Sequence, residues 1–378
     1  MKPRIILVPI CIAILSLVAL AQINSGANAF MNWSRKNIMR INTLDPGAGF
    51  SDLRALKPVI GQARVVALGE THGTHELLRL RNRLFQYLVE ESDFTAIAAE
   101  SGVTESMLAE DFVMGKAVDS KSAARSVFSN NRTIAYVENL ELLEWMRRHN
   151  ASVPPSRKIH FYGIDMSGQI NGDFVQSRMT LDAALSYLRG VDSDLASQFQ
   201  RRLDPFLPKF FETFGTPRTP DYRTLREDER DTLTSTIADL ISVFEQHRVE
   251  FIAASTQQEY LAGYRNAIAA RQLDNHFRVR PEGKGGNPLD FAEPSSARDS
   301  AMSENVLWTL AQDGSRRRVF VYAAMAHVHR GTQKADVRLF PGKSPLWMGQ
   351  YLDAQLGDSM FVFGTAYRAA EEKSVWTS

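Results

Sequence analysis

Five short apolar runs rich in Val, Ile, Phe and Ala punctuate the chain: Arg64–Leu68, Thr95–Ala99, Lys158–Ile164, Arg318–Ala326 and Met360–Thr365. Each has the length of a strand, and the segments between them repeat their apolar residues at helical spacing. Leu77, Leu80, Leu84, Tyr87 and Leu88 form one such stripe, and Leu140, Leu143 and Met146 form another. Strands that alternate with helices predict βα units, hence an α/β fold with a largely parallel central sheet flanked by helices.

The pattern changes in the middle of the chain. From Leu181 to Asn275 no run reads as a strand, while Leu181, Ala184, Leu185 and Leu188, and then Ile237, Leu240, Ile241 and Phe244, recur at helical spacing. An inserted helical subdomain over residues 176–277 is expected, within an α/β core formed by 30–175 and 298–378. Residues 278–297, with Pro281, Gly283, Gly285, Gly286 and Pro288, read as a flexible loop or lid.

The N-terminus has a pattern of its own. Lys2 and Arg4 precede an apolar run from Ile5 to Ala21, and Ala27-Asn28-Ala29 supplies a small-residue cleavage site, so residues 1–29 read as a signal peptide. The mature protein is then expected in the periplasm or outside the cell; the alternative is a membrane anchor through the uncleaved segment. Cleavage changes the balance from 44 basic against 43 acidic residues to 42 against 43, a near-neutral chain that argues against a nucleic-acid partner. It also removes Cys11, the single cysteine, which leaves no disulfide, thiol nucleophile or thiolate metal site.

The candidate chemistry clusters where strands are expected to end. Glu70 and His72 follow the first strand in the segment GETHGTHE (Gly69–Glu76), Glu100 follows the second, Asp165 the third and His327 the fourth. In an open parallel sheet the carboxyl ends of the strands line the binding crevice, so these groups converge there. His75 belongs either to the crevice or to a solvent-facing first helical turn. His329, two residues beyond His327, is expected to point the same way as His327 if the strand continues. Asp165 reads equally as a cap or as a site residue.

These residues, taken in their blocks, resemble the erythromycin esterase family. RVVALGETHGTHELLRLRNRLFQYLVEESDFTAIAAES is similar to its opening strand, helix and second strand; LLEWMRRHN, FYGIDM, RDSAMSENVLW, VFVYAAMAHVHRG and LWMGQYL follow in the family's order. The resemblance implies a hydrolase of carboxylic esters with Glu70, His72, Arg81, Glu100 and His327 in the pocket. Two positions differ from the family pattern: only Thr71 separates Glu70 from His72, and Ala324 stands where many members have a further histidine. On composition alone Arg81 reads as a surface cation beside Arg79 and Arg83.

The residues and the family lead to the same mechanism. No GxSxG elbow or cysteine is present to act as nucleophile, so water activated by His72 is expected to attack the ester directly. Glu70 or Glu100 would orient His72, and Arg81 or His327 would polarise the carbonyl. No cofactor is expected. Two other readings use the same residues: Glu70, His72, Glu100 and His327 as ligands of a divalent metal in a hydrolase or peptidase, or a non-catalytic ligand-binding relative. The expected partner is a small-molecule ester or lactone; the membrane enters only through an uncleaved signal segment.

Overall fold

The structure, a computed structural model, describes residues 28–29, 31–71, 74–127, 136–169, 174–212, 220–279, 292–312, 317–331 and 344–366. His72, most of the expected signal peptide and most of the expected loop before residue 298 lie outside the described residues. The chain divides into two compact units, one of Met1–Thr43 with Gly49–Leu56 and one of Leu44–Ala48 with Lys57–Ser378. In the smaller unit the Asn42 amide donates to Asp52 Oδ2 at 2.8 Å, and Asn37 Nδ2 donates to the Trp33 carbonyl at 2.8 Å. No described helix is long and apolar enough to cross a membrane.

The larger unit is built on five strands: β1 (Val65–Glu70), β2 (Ala96–Gly102), β3 (His160–Asp165), β4 (Val319–Ala324) and β5 (Met360–Gly364). All pairings are parallel and the order is β3-β2-β4-β1-β5. Successive residues of β1 serve opposite faces: Val65 and Ala67 join Met302, Val306, Leu310, Met348 and Leu352 in one core. Val66 and Leu68 are equally buried. Both faces are therefore covered, which explains why the strands read as continuous apolar runs rather than alternating ones.

Helices supply the cover. Helix α1 (His75–Ser92) crosses from β1 to β2, with α2 (Met107–Val113), α3 (Ser120–Ser126) and α4 (Tyr136–Ser152) between β2 and β3. Phe85 of α1 stacks on Phe320 of β4 with centroids 5.8 Å apart and meets Trp145 of α4 edge-on. Thr74 caps α1 by accepting from the Leu77 amide, and Asp93 ends it in the left-handed region at φ 53°.

Between β3 and β4 the described residues form five further helices: α5 (Met179–Val191), α6 (Ser193–Leu203), α7 (Glu227–Gln246), α8 (Arg248–Ala254) and α9 (Gln257–Arg278). They share their own core of Leu185, Leu188, Leu240, Phe244 and Leu273, with aromatic contacts of Tyr187 against Phe244, Phe251 and Tyr260. Helix α10 (Ala292–Ala311) then returns to the sheet. Residues 292–297, expected within the loop, are its first turn: Pro294 sits where an amide has no helical partner to lose, so a residue that reads as punctuation is compatible with a helix start.

The fourth strand is also shorter than expected. It stops at Ala324, whose amide donates to Glu100 Oε2 at 2.6 Å instead of continuing the ladder, and Met325–Val328 (α11) forms a single helical turn. That turn packs onto β1 at Gly69, where a Cβ would lie 2.5 Å from Val328 Cγ2 and 3.1 Å from Met325 Cα. Helix α12 (Met348–Leu356) leads into β5.

Candidate active site

Four strand ends place acidic or cationic groups on one edge of the sheet. Glu70 closes β1, Asp165 closes β3, and α11 carries His327 just beyond β4. Glu100 lies within the last residues of β2, where the pairing with β3 shifts register between Ala99 and Gly102. Such an irregularity re-aims a side chain. It directs Glu100 toward β4, whose terminal amide it accepts, and toward α10.

The centre of the cluster is Arg298 on α10. Its Nε and Nη2 donate to the two oxygens of Asp165 at 2.8 and 2.6 Å, and Nη2 also donates to Glu100 Oε1 at 3.0 Å. The planar guanidinium fits this bidentate geometry, as the point charge of a lysine would not. Asp165 is itself fixed, accepting from the Met166 amide at 2.8 Å and from Gln169 Nε2 at 3.3 Å. Burial works against the Arg298 charge, yet Asp165, Glu100 and Asp299 outweigh it and hold the guanidinium above its ordinary pKa.

His327 is clamped between two carboxylates. Nδ1 donates to Asp299 Oδ1 at 2.7 Å, and Nε2 faces Glu100 Oε1 at 3.3 Å and Arg298 Nη1 at 3.1 Å. Asp299 also accepts from the Met348 amide at 2.8 Å, and Trp347 packs edge-on against the imidazole. Burial alone would lower the His327 pKa, but Glu100 and Asp299 raise it, against the opposing charge of Arg298, up to about 10. The two carboxylates favour the charged imidazolium over the neutral ring.

Glu70 and Arg81 are buried as well. Arg81 is fully buried: Nε and Nη1 donate to Asn82 Oδ1 and Asn139 Oδ1, each at 2.9 Å, Nη2 donates to the Glu138 carbonyl at 3.4 Å, and the guanidinium lies over the Tyr322 ring at 5.1 Å. Burial pushes its pKa down, while Tyr322, Glu138 and Glu70 pull it up, so these groups surround one cation. The reading as a surface cation fails for Arg81 and Arg83, both fully buried; for Arg81, Asn139 and Glu138 of α4 and Tyr322 of β4, all more than fifty residues away in sequence, close over the guanidinium. Arg81 thus ties α1 to α4.

His75 is the first residue of α1; its side chain is 62% exposed and Nδ1 contacts Glu138 Oε1 at 2.5 Å. His329 does not accompany His327. The chain leaves β4 as a helical turn, so strand alternation ends, and His329 turns away to donate Nδ1 to the Gly331 carbonyl at 2.7 Å. His72 lies outside the described residues, directly after Thr71 at the exit of β1.

Arg298 and Asp299 were not among the residues expected from sequence. Asp299 nevertheless stands in register with Met302, Val306 and Leu310 on the apolar stripe of α10, and a carboxylate at a core-facing helical position signals a paired or functional charge. Among the described residues no group of three or more His, Cys, Asp and Glu is placed to hold a metal ion. Glu100 and His327, two of the ligands considered for a metal, hydrogen-bond to Arg298 and Asp299 respectively.

Comparison with known proteins agrees with this architecture. The sequence model of the family described as erythromycin esterase matches residues 89–373. Erythromycin esterase type II from Escherichia coli is 25% identical over 349 residues, 89% of this chain and 77% of that protein. A putative hydrolase, YbfO, from Bacillus subtilis (strain 168) is 26% identical over 198 residues, 52% of this chain and 41% of its own length. Among solved structures, a Bacillus cereus protein superposes with a TM-score of 0.69 at 23% identity, covering 90% of this chain and 74% of that one. An open conformation of a histidine-to-asparagine mutant of erythromycin esterase EreC superposes with a TM-score of 0.59 at 17% identity, covering 85% and 74%.

Proposed function

The chain belongs to the erythromycin esterase family, and from that premise we propose that it is an exported hydrolase that cleaves carboxylic esters, macrolactones among them, with water as the direct nucleophile. The observation that carries the reading is the Arg298 clamp, which gathers Asp165 and Glu100 from two strand ends and sets His327 beside them as a second fixed cation. Ester hydrolysis builds negative charge on the carbonyl oxygen, and Arg298, whose Nη1 is directed at His327 rather than at a carboxylate, is a cation held in place before the reaction that can stabilise it without reorganisation.

The base must be a group able to lose its proton near neutral pH. Glu100 and Asp299 favour the charged form of His327, so we assign the role to His72, two residues after Glu70 in the sequence, with Glu70 as its orienting carboxylate. Glu100 links the halves: it holds Arg298 and His327 and ends β4 through the Ala324 amide. The N-terminal apolar run and its Ala27-Asn28-Ala29 site support export to the periplasm or beyond. We further propose that no cofactor takes part.

A panel of aliphatic esters, aryl esters and macrolactones, assayed with the mature protein and with His72→Ala, tests the reading alongside metal analysis. Turnover without bound metal, reduced about 10²-fold or more by His72→Ala, is the expected result. Stoichiometric metal together with turnover that chelation abolishes would replace it with the metallohydrolase reading, and ligand binding without turnover with the binding-protein reading.

A further inference from the structure

The chemistry of Asp299 and its place on α10 disagree. It shares the helix face that turns Met302 and Val306 into the core, and it is fully buried. Its two oxygens are used unequally. Oδ1 accepts from His327 Nδ1 at 2.7 Å and from the Met348 amide at 2.8 Å, while Oδ2 has no hydrogen-bond partner among the described residues.

Capping the first turn of α12 does not require this arrangement. The Met348 amide needs only an oxygen, which a serine or asparagine would offer without burying a charge. A buried carboxylate with one unsatisfied oxygen is a costly choice for that task. What the charge does meet is the His327 imidazole, with which it forms an ion pair at 2.7 Å.

The geometry around the ring follows from that contact. A carboxylate on Nδ1 keeps the proton on that nitrogen and fixes the orientation of the ring. Nε2 is then the nitrogen presented to the strand-end cluster, 3.1 Å from Arg298 Nη1 and 3.3 Å from Glu100 Oε1. Trp347 stands edge-on to the imidazole with centroids 5.8 Å apart, and its neighbour Met348 is gripped by the same Asp299 oxygen. One turn earlier on α10, Ser296 Oγ accepts the Leu346 amide at 2.9 Å. Two adjacent residues of α10 thus hold the imidazole between them, Asp299 at Nδ1 and Arg298 at Nε2.

We propose that Asp299 is a positioning residue for ester hydrolysis: by holding His327 Nδ1 it sets Nε2 against Arg298 Nη1 and Glu100 Oε1, and so fixes the end of the guanidinium that meets the developing oxyanion. This rests on the ester-hydrolase reading. Asp299 acts through His327 and makes no bond to the substrate; the Nδ1 proton stays on the ring throughout.

A residue that acts through His327 has no effect once His327 is gone, and a merely structural residue does. Asp299→Asn keeps the size of the side chain and an oxygen for the Met348 amide, and removes the charge that holds the Nδ1 proton. On an ester that wild type hydrolyses, kcat of this variant should fall at least about tenfold with KM within about twofold. The double variant with His327→Gln should be no slower than His327→Gln alone. Nitrogen NMR of wild type should find a proton on His327 Nδ1, assigned by its absence in His327→Gln, and Asp299→Asn should shift that resonance. Asp299→Asn at the wild-type kcat, losses that multiply in the double variant, or a wild-type Nδ1 without a proton would overturn the positioning role and leave the esterase reading intact. Wild type inactive on every ester would overturn both.

Discussion

Replacing Arg298 with methionine removes a group that joins three elements of the crevice, through Asp165, Glu100 and His327. Asp165 and Glu100, with side chains 3% and 6% exposed, would then share the strand-end edge without their common counter-charge. Losing one partner of a buried ion pair typically costs about 3–5 kcal/mol, because the remaining charge is left desolvated. Arg298 is 21% exposed in its side chain, so the lower part of that range applies, about 3 kcal/mol. For a chain of 378 residues that corresponds to a fall in Tm of roughly 4 °C. The effect has a definite pH dependence. Without the guanidinium two desolvated carboxylates are left without their shared counter-charge, so the penalty is full while both are charged and shrinks as acid neutralises them. Urea unfolding of wild type, Arg298→Met and Arg298→Met with Asp165→Asn, at pH 7 and near pH 4.5, measures this directly. The double variant should regain at least about 1 kcal/mol at pH 7. A single variant as stable as wild type at pH 7, or one whose deficit grows toward acid, would refute the reasoning.

His327 makes a second pH prediction. Its folded-state pKa, about 10, lies above the ordinary histidine value of 6.5, so its contribution to stability is full below about pH 6.5 and is lost as pH rises toward 10. The difference in urea midpoint between wild type and His327→Gln should shrink across that interval. Gly69→Ala should destabilise by about 1–3 kcal/mol, since its Cβ would fall 2.5 Å from Val328 Cγ2, and thermal unfolding reads the loss. Phe244→Ala should cost about 3–5 kcal/mol by denaturant unfolding, as Phe244 is fully buried against Tyr187, Phe251 and Tyr260.

The sheet is legible because β1, β2 and β4 are buried along their length and so appear as apolar runs, and each of the five expected runs overlaps one observed strand. What failed at the edges has local causes. Glu100 was read as lying beyond β2, but an irregular pairing keeps it within the strand and turns it toward β4. The apolar letters after Ala324 hid the end of β4, because the residue that stops it, Glu100, is more than two hundred positions away. The same distance hid Arg298 and Asp299: they stand just after a Pro-containing first turn that reads as loop, although the core-facing spacing of Asp299 with Met302 and Val306 was present in the sequence. Arg81 and Arg83 looked like a solvated face because nothing local predicts the α4 partners that bury Arg81.

The central claim is that the strand-end cluster gathered by Glu100 and Arg298 carries ester hydrolysis. Glu100→Gln keeps the size of the side chain and removes the charge that Arg298 and His327 share, so kcat/KM on an ester that wild type hydrolyses tests the claim most directly. With the variant shown to be folded at the assay temperature, the account predicts a fall of about 100-fold or more. A folded Glu100→Gln protein that hydrolyses the same ester at the wild-type rate would contradict it.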